Sequence, residues 1–372
     1  MKKNEILQIY GTNYTEMTAR LLEEADLAAE IPSPETLIGI KPNLNAPRPA
    51  EFGATTHPEV VAGIIEYLQR HGFSRIVIAE GAWVGDTTAE AFEYCGYQTL
   101  AKRYGVDLWD MQKDTSHMAD CAGMRLRICD KVDQIDFLIN VPVLKGHCQT
   151  KITCALKNNK GLIPNPEKRR YHTLGLHKPI AHLGTAIRQD FIVVDHICGD
   201  LDFEDGGNPV VRNCVMAAKD PVLVDALVCR MLRYDISEVP YVKLAEELGA
   251  GSADLSRAKI SVIGKKGECR QEELPRHRVC DVQYAVEEID SCSACYASLI
   301  PALDRLKEEG LLDLLDEKIA IGQGHRNRTG RLGVGLCTAG FDVCIRGCPP
   351  SEEQVYEELK EYVNHRFEKE NI

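Results

Sequence analysis

Five cysteines near the carboxyl end carry the clearest spacing for chemistry: Cys292 and Cys295 in SCSAC, then Cys337, Cys344 and Cys348 in LCTAGFDVCIRGCPP. Closely spaced thiolates are the usual ligands of zinc and of iron–sulfur clusters, and a Cys-Pro step after the last ligand is a feature of ferredoxin-type sites. The second group has no CxxC, as a zinc ribbon would want. The glycines around it, Gly333, Gly335, Gly340 and Gly347, let backbone N–H groups approach cluster sulfurs. The pattern favours an iron–sulfur cluster, with zinc and unligated thiols as the other readings.

A second set of residues points to an anion. Lys41 and Asn43 follow an apolar segment, as do Lys145, Gly146 and His147. Lys151, Lys157, Asn158, Asn159, Lys160 and Gly161 come next, then Arg169, Arg170 and His172. A lone lysine after a strand is ordinarily solvated. These gain meaning because ligands gather outside the carboxyl ends of parallel strands, where donors from several loops can converge on a carboxylate or phosphate. Other candidates fit blander roles. His177 and His182 read as surface or capping groups, and Asp200, Asp202, Glu204 and Asp205 as a solvated loop without calcium-loop spacing. Ser291 and Ser293 lack a GxSxG elbow, no GxGxxG follows an early strand, and there is no P-loop, so a serine nucleophile and a nicotinamide cofactor have no support.

The elements that must position these groups read as alternating strands and helices. Strands are expected at Ile6–Tyr10, Leu37–Ile40, Arg75–Ala79, Val106–Trp109, Phe137–Leu144, Phe191–His196, Val215–Ala218 and Lys259–Ile263. Helices are expected at Thr15–Ala29 with Thr15 as cap, His57–His71, Ala89–Tyr104, Lys178–Arg188 and Pro221–Leu232. Continuous apolar strands between helices predict an α/β fold, a mostly parallel sheet covered by helices on both faces. A smaller cysteine-rich α+β segment follows, with a helix near Pro301–Leu315, a strand at Lys318–Ile321 and a last helix capped by Ser351. The expected division is 1–265 and 266–372.

Composition sets the outer bounds. At 372 residues and 44% hydrophobic, the chain can bury a full core. Its net charge of -12 argues against a nucleic-acid partner. No apolar run approaches a membrane span, and the amino-terminal residues turn polar too early for a secretory leader, so a cytoplasmic location is expected. The cysteines outside the tail read as buried thiols in a reducing compartment.

Several segments resemble the DUF362 family: IKPN at 40–43, Thr56-His57-Pro58, NVPVLKGH at 140–147 and LKNNKGLIP at 156–164. The likeness covers residues 37 to 265, and the GCPP ending is similar to the cysteine-rich tail of many members. It implies an α/β domain accompanied by a 4Fe-4S segment, with Lys41, Asn43, Lys145, His147, Lys157 and Asn158 as the site. The middle cysteine of such tails varies, so the resemblance implies Cys292, Cys295, Cys337 and Cys348 as ligands and leaves Cys344 out. The order His147, Lys157, Pro164, His172 is also similar to the lactate racemase group. That likeness implies a metal cofactor, a nickel pincer, tethered to Lys157, with His147 or His172 as acid or base.

Two function classes follow. One is an iron–sulfur enzyme, an oxidoreductase or lyase acting on a small anionic metabolite. There His147 would carry the proton, Lys41 and Lys145 would neutralise developing charge, and Asn43, Lys157, Asn158 and His172 would bind substrate. The other is a non-catalytic electron-transfer or scaffold protein serving a redox partner protein, which has no need of converging donors.

Overall fold

A computed structural model describes residues 1–204, 206–264 and 278–370. The chain forms two compact units, one of residues 1–169 with 177–275 and one of residues 170–176 with 276–372. The expected boundary at 265/266 lies outside the described residues, and the short segment 170–176 joins the second unit.

The first unit is built on strands β1 (Glu5–Tyr10), β2 (Ile38–Pro42), β3 (Ile76–Glu80), β4 (Asp107–Asp110), the hairpin β5 (Ser116–Cys121) and β6 (Met124–Cys129), β7 (Phe137–Val141), the short pair β8 (Lys145–His147) and β9 (Lys151–Thr153), β10 (Phe191–Asp200), β11 (Pro209–Ala218) and β12 (Lys259–Val262). Eight of these make one sheet in the order β12-β1-β11-β10-β7-β2-β3-β4. β11 runs antiparallel to both neighbours, and the remaining pairings are parallel. β2, β3, β7 and β10 are buried along their whole length. Burial at every residue, with side chains alternating between faces, requires cover on both sides. Helices Tyr14–Ala25 and Pro58–Arg70 pack on one face through Leu21, Leu22, Val60, Ile64 and Leu68, against Ile38, Ile40, Ile78 and Ile139. On the other face Asn140 donates to Ala155 O and Gln189 Oε1.

The first helix starts earlier than its expected cap, because Asn13, not Thr15, accepts from the Glu16 N–H. It stops at Ala25, where Asp26 turns left-handed at φ 53°. The expected helix 89–104 is two, Thr88–Tyr94 and Tyr97–Tyr104, broken at Gly96 with φ 80°. β11 is ten residues long instead of the expected four, its first half being mostly solvent-facing and so without an apolar signature.

The second unit holds a four-stranded parallel sheet of β13 (Val286–Glu288), β14 (Ile319–Ile321), β15 (Leu332–Val334) and β16 (Val343–Ile345). Its main helix is Ser293–Glu308, eight residues ahead of the expected start, with Pro301 inside it. Proline favours a first turn, but the buried series Tyr296, Leu299, Ile300, Leu303 and Leu306 carries the helical period through it. The terminal helix begins as expected, Ser351 Oγ accepting from Gln354 N at 3.1 Å. Among the described residues no helix is long and apolar enough to cross a membrane.

Candidate functional site

In the first unit the carboxyl ends of β2, β3 and β7 deliver their polar residues to one place. Lys41 Nζ donates to Glu80 Oε2 at 2.8 Å, to Pro42 O at 2.6 Å and to Asn158 Oδ1 at 3.3 Å. Glu80 is held by the Leu44 and Gly81 N–H groups as well. Asn158 Nδ2 reaches Asn140 Oδ1 at 2.6 Å and Lys41 O at 3.2 Å. The pair is closely packed: a Cβ on Gly161 would lie 1.9 Å from Glu80 Oε1 and 2.6 Å from Lys41 Nζ. Only glycine fits there, which gives a physical reason for the Lys-Gly step at 160–161.

One residue before Asn158, Lys157 donates to Thr153 Oγ1 and to Glu204 Oε1. His147 Nε2 meets the other oxygen of Glu204 at 2.9 Å, and Lys145 Nζ donates to Glu204 O, Ala54 O and Asn45 Oδ1. Asn45 belongs to the loop that follows Lys41, so the two lysine-bearing loops converge. The turn that presents Lys157 and Asn158 is pinned from beneath by Asp225, whose carboxylate accepts from the Ala155 and Leu156 N–H groups. Burial raises that carboxyl to about 7 against those bonds.

The electrostatics are those of crowded amines. Burial lowers Lys41 despite Glu80. Burial, then the neighbouring Lys157, brings Lys160 down to about 7, and burial brings Lys168 to about 8 while its amine donates to Gly81 O and Ala82 O. Burial opposes ionisation of Glu204, but Lys157, His147 and Lys145 outweigh it and hold the carboxyl well below its usual range. His147 is pushed down to about 4, by burial first and Lys157 second. Its Nδ1 accepts from the N–H groups of Gln149 and Thr150, which leaves the proton on Nε2, facing Glu204. The imidazole is therefore neutral at pH 7, and the near-neutral titration expected of it belongs to Lys160.

Unmet polar groups lie in the same segments. Asn159 is fully buried with neither amide atom partnered, and Asn43 Oδ1 is likewise buried and unpartnered.

In the second unit four of the tail thiols share one neighbourhood. The Cys295 thiol is raised to about 12 by burial and by Cys292, Cys348 and Cys337, and Cys292 is raised by burial, Cys337 and Cys348. Cys344 is turned elsewhere, its sulfur lying 3.5 Å from both Gly335 O and Thr338 Oγ1. Gln323 Nε2 lies 3.7 Å from Cys292 Sγ, and the Arg326 guanidinium hydrogen-bonds Cys337. Gly335, at φ 88°, brings its backbone against Cys295, whose sulfur would lie 3.5 Å from a Cβ there. Among the described residues no three His, Cys, Asp or Glu side chains converge tightly enough to ligate a single ion.

Residues 38–230, which hold the whole lysine site, match the domain of unknown function DUF362. The chain belongs to the DUF362 family. Among curated proteins it is similar to a thylakoid-associated protein of Synechocystis sp., 23% identical over 236 residues, which is 62% of this chain and 73% of that protein. Among solved structures it is similar to the lactate racemase apoprotein of Thermoanaerobacterium thermosaccharolyticum, at 14% identity and a TM-score of 0.43. That match covers 61% of this chain and 56% of the other, too loose a superposition to establish a common fold.

Within this DUF362 domain, Lys41 and Asn158 stand in one bonded group and Lys145, His147 and Lys157 in another, the two adjoining at residues 157–158 and along the loop that carries Asn43 and Asn45. His172 belongs to the second unit. Glu204, expected to be a solvated loop residue, instead pairs with Lys157 and His147 and needs correcting; Asp205 lies outside the described residues. Asp200 is buried and organises that loop, accepting from the N–H groups of Asp202, Phe203 and Asn208. Of the two histidines read as surface or capping groups, His182 is buried, its Nδ1 2.8 Å from Cys121 O, and half-buried His177 opens the helix His177–Ala186 and stacks on Tyr241. Sequence reasoning missed the parts played by Glu80 and Lys168. Glu80 ends a parallel strand as Lys41 nearly does, and that shared position was the available signal.

Proposed function

We propose that this chain is an iron–sulfur protein whose DUF362 domain binds a small anionic metabolite, a carboxylate or phosphate, and acts on it. The observation that carries the reading is an imbalance of buried charge. Five lysine amines, those of Lys41, Lys145, Lys157 and Lys168 buried and that of Lys160 half-buried, outnumber the carboxylates that face them, Glu80, Glu204 and, at Lys168, Asp110. Keeping like charges together out of water is costly, and an entering anion relieves the cost. The unpartnered Nδ2 of buried Asn159 is a donor of the kind an anion would satisfy.

The residues divide by role. Lys41 is wholly buried on Glu80 and Asn158, and serves to hold the loop in place. Lys157 and Lys145 hold Glu204, which with Lys160 is the more exposed part of the cluster. Lys160, half ionised near neutral pH, is the group suited to carry a proton, the role sequence alone would give His147. His147 fixes the orientation of Glu204 through its Nε2–H.

Cys292, Cys295, Cys337 and Cys348 fit a 4Fe-4S cluster. Their thiols lie within one another's field, and four thiolates are the usual ligand set of such a cluster. Arg326 and Gln323 would stand beside two of the ligands as hydrogen-bond donors, the kind of group that tunes such a cluster. When bound, the cluster would supply single electrons, or a Lewis-acid iron if one ligand is absent.

The test is an anaerobic preparation assayed for iron and acid-labile sulfide, then melted with and without inorganic phosphate and small carboxylates. Iron and sulfide in equal amounts, and a melting temperature raised by one of these anions, are expected. A ligand at a hundred times its dissociation constant stabilises by about 2.7 kcal/mol. Lys157→Met should remove the anion's effect and leave iron unchanged. Zinc in place of iron sinks the cluster reading, and no response to any anion sinks the pocket.

A further inference from the structure

One constellation in the first unit takes no part in the lysine network. The helix Pro58–Arg70 is preceded by His57, whose Nδ1 lies 2.8 Å from Asp195 Oδ2 on β10, and the same oxygen accepts from the His57 backbone N–H at 2.7 Å. The other oxygen of Asp195 accepts from the Ile197 N–H. With Nδ1 committed to the carboxylate, Nε2 faces Cys198 Sγ at 4.0 Å, just past an irregularity in the pairing of β10 with β11 that re-aims the strand. All three side chains are buried: Asp195 is fully enclosed, His57 is 5% exposed and Cys198 4%. Burial opposes charge on His57, but Asp195 outweighs it and raises the imidazole to about 10.

We propose that Cys198, His57 and Asp195 form a nucleophilic thiol site that reacts with small hydroperoxides. The order carboxylate, imidazole, sulfur is that of an activated nucleophile, and the surroundings choose the reactant. Cys198 Sγ lies 3.4 Å from Ala50 O and 3.6 Å from Glu51 O. These carbonyls accept from the resting thiol and, after reaction, from the hydroxyl of a sulfenic acid, and neither can donate to the oxyanion of an acyl transfer. The sulfur lies beneath the turn Ala50–Phe52, whose Glu51 and Phe52 are solvent-exposed, and its burial excludes a bulky reactant. In the step, the thiolate attacks one peroxide oxygen and the O–O bond breaks. Sulfur is oxidised by two electrons to the sulfenic acid, and the departing oxide takes the His57 Nε2 proton and leaves as water or alcohol. The plainer role is a buried thiol donating to Ala50 O, and the two roles separate in one measurement.

Full-length protein, prepared anaerobically, is exposed to a small excess of hydrogen peroxide for timed intervals, the peroxide is removed with catalase and the protein is denatured in dimedone, so that labelling at each cysteine, buried or not, is read by peptide mass spectrometry. Cys198 is expected to label about ten times faster than the similarly buried Cys129 and Cys229, as an activated thiolate against ordinary thiols. In His57→Gln its rate is expected to fall to theirs. Labelling of Cys198 no faster than Cys129 in the unaltered protein overturns the proposal whatever the variants do. So does an undiminished rate in folded His57→Gln; if that variant does not fold, Asp195→Asn, measured below its melting temperature, takes its place with the same two outcomes.

Discussion

The lysine site and the thiol site have opposite electrostatic deficits. At the lysine site of the first unit amines outnumber the carboxylates paired with them: Glu80 answers Lys41, Glu204 answers Lys157, and Lys160 and Lys168 are left with depressed affinity for protons. In the second unit, Cys292 and Cys295 resist ionising because burial and each other's charge oppose it. One region is short of an anion and the other of a cation. The first is prebuilt by bonds among its own side chains, so it keeps its shape when empty. The second has Arg326 alone among its named partners to offset four thiolates, so its thiolates depend on what they bind.

The contrast is broken most sharply at the thiols. Cys295→Ala should abolish iron incorporation and lower the stability of the second unit, because the loss of one of four ligands removes metal-coupled folding energy. Cys344→Ala should leave iron content near that of the unaltered protein, since its sulfur is engaged with Gly335 O and Thr338 instead. Equal loss of iron in both variants would make Cys344 a ligand and require a different set of four.

Next in size is the ion pair beneath the lysine site. Glu80→Gln leaves Lys41 buried without its counter-charge, and breaking a buried pair from one side costs roughly 3–5 kcal/mol. The pair is almost fully enclosed, at 1% and 3% side-chain exposure, so little solvent screening reduces that cost. Urea unfolding should show the loss as a lower midpoint at unchanged slope. The same measurement on the iron content should show no change, since the charge lost lies in the other unit. A loss below about 1 kcal/mol would mean that the pair is solvated, as ordinary surface pairs are.

Much of this was legible in sequence because strands buried on both faces write themselves as unbroken apolar runs. IKPN and FLINV fell where the strands lie, and their carboxyl ends could be named as a site before any fold was known. The first half of β11 escaped because its residues are exposed or only half-buried, while the buried second half, Val215–Ala218, was legible. The pair β8 and β9 escaped because three residues are too few to show a period. Glu204 was misread for a different reason. Its acidic neighbours make a loop look solvated, and nothing in the local sequence says that Lys157, forty-seven positions away, will reach it. Charge pairing across the fold is a long-range property, whereas capping and turn chemistry are local. The thiols lie between these cases: their grouping was visible, but the separation of Cys344 from the other four depends on where each sulfur points.

The smallest effect expected is the most specific to the charge imbalance. Lys160 holds a pKa of about 7 in the folded chain, against about 10.4 for a free lysine. Between those values the unfolded chain binds more protons than the folded one, so stability rises with pH across that window, and below pH 7 the full penalty of the buried charge is present. Lys160→Met should therefore melt higher than the unaltered protein at pH 6.5, and the advantage should shrink as pH approaches 9. Solvent reaches this side chain, so the shift should amount to a few degrees at most. An anion that enters the cluster raises the affinity of Lys160 for its proton, so binding should take up a proton above pH 7 and weaken as pH rises. A variant that melts no higher at pH 6.5 and keeps the full anion response would show that Lys160 stands apart from the deficit, and the pocket would then rest on Lys145 and Lys157.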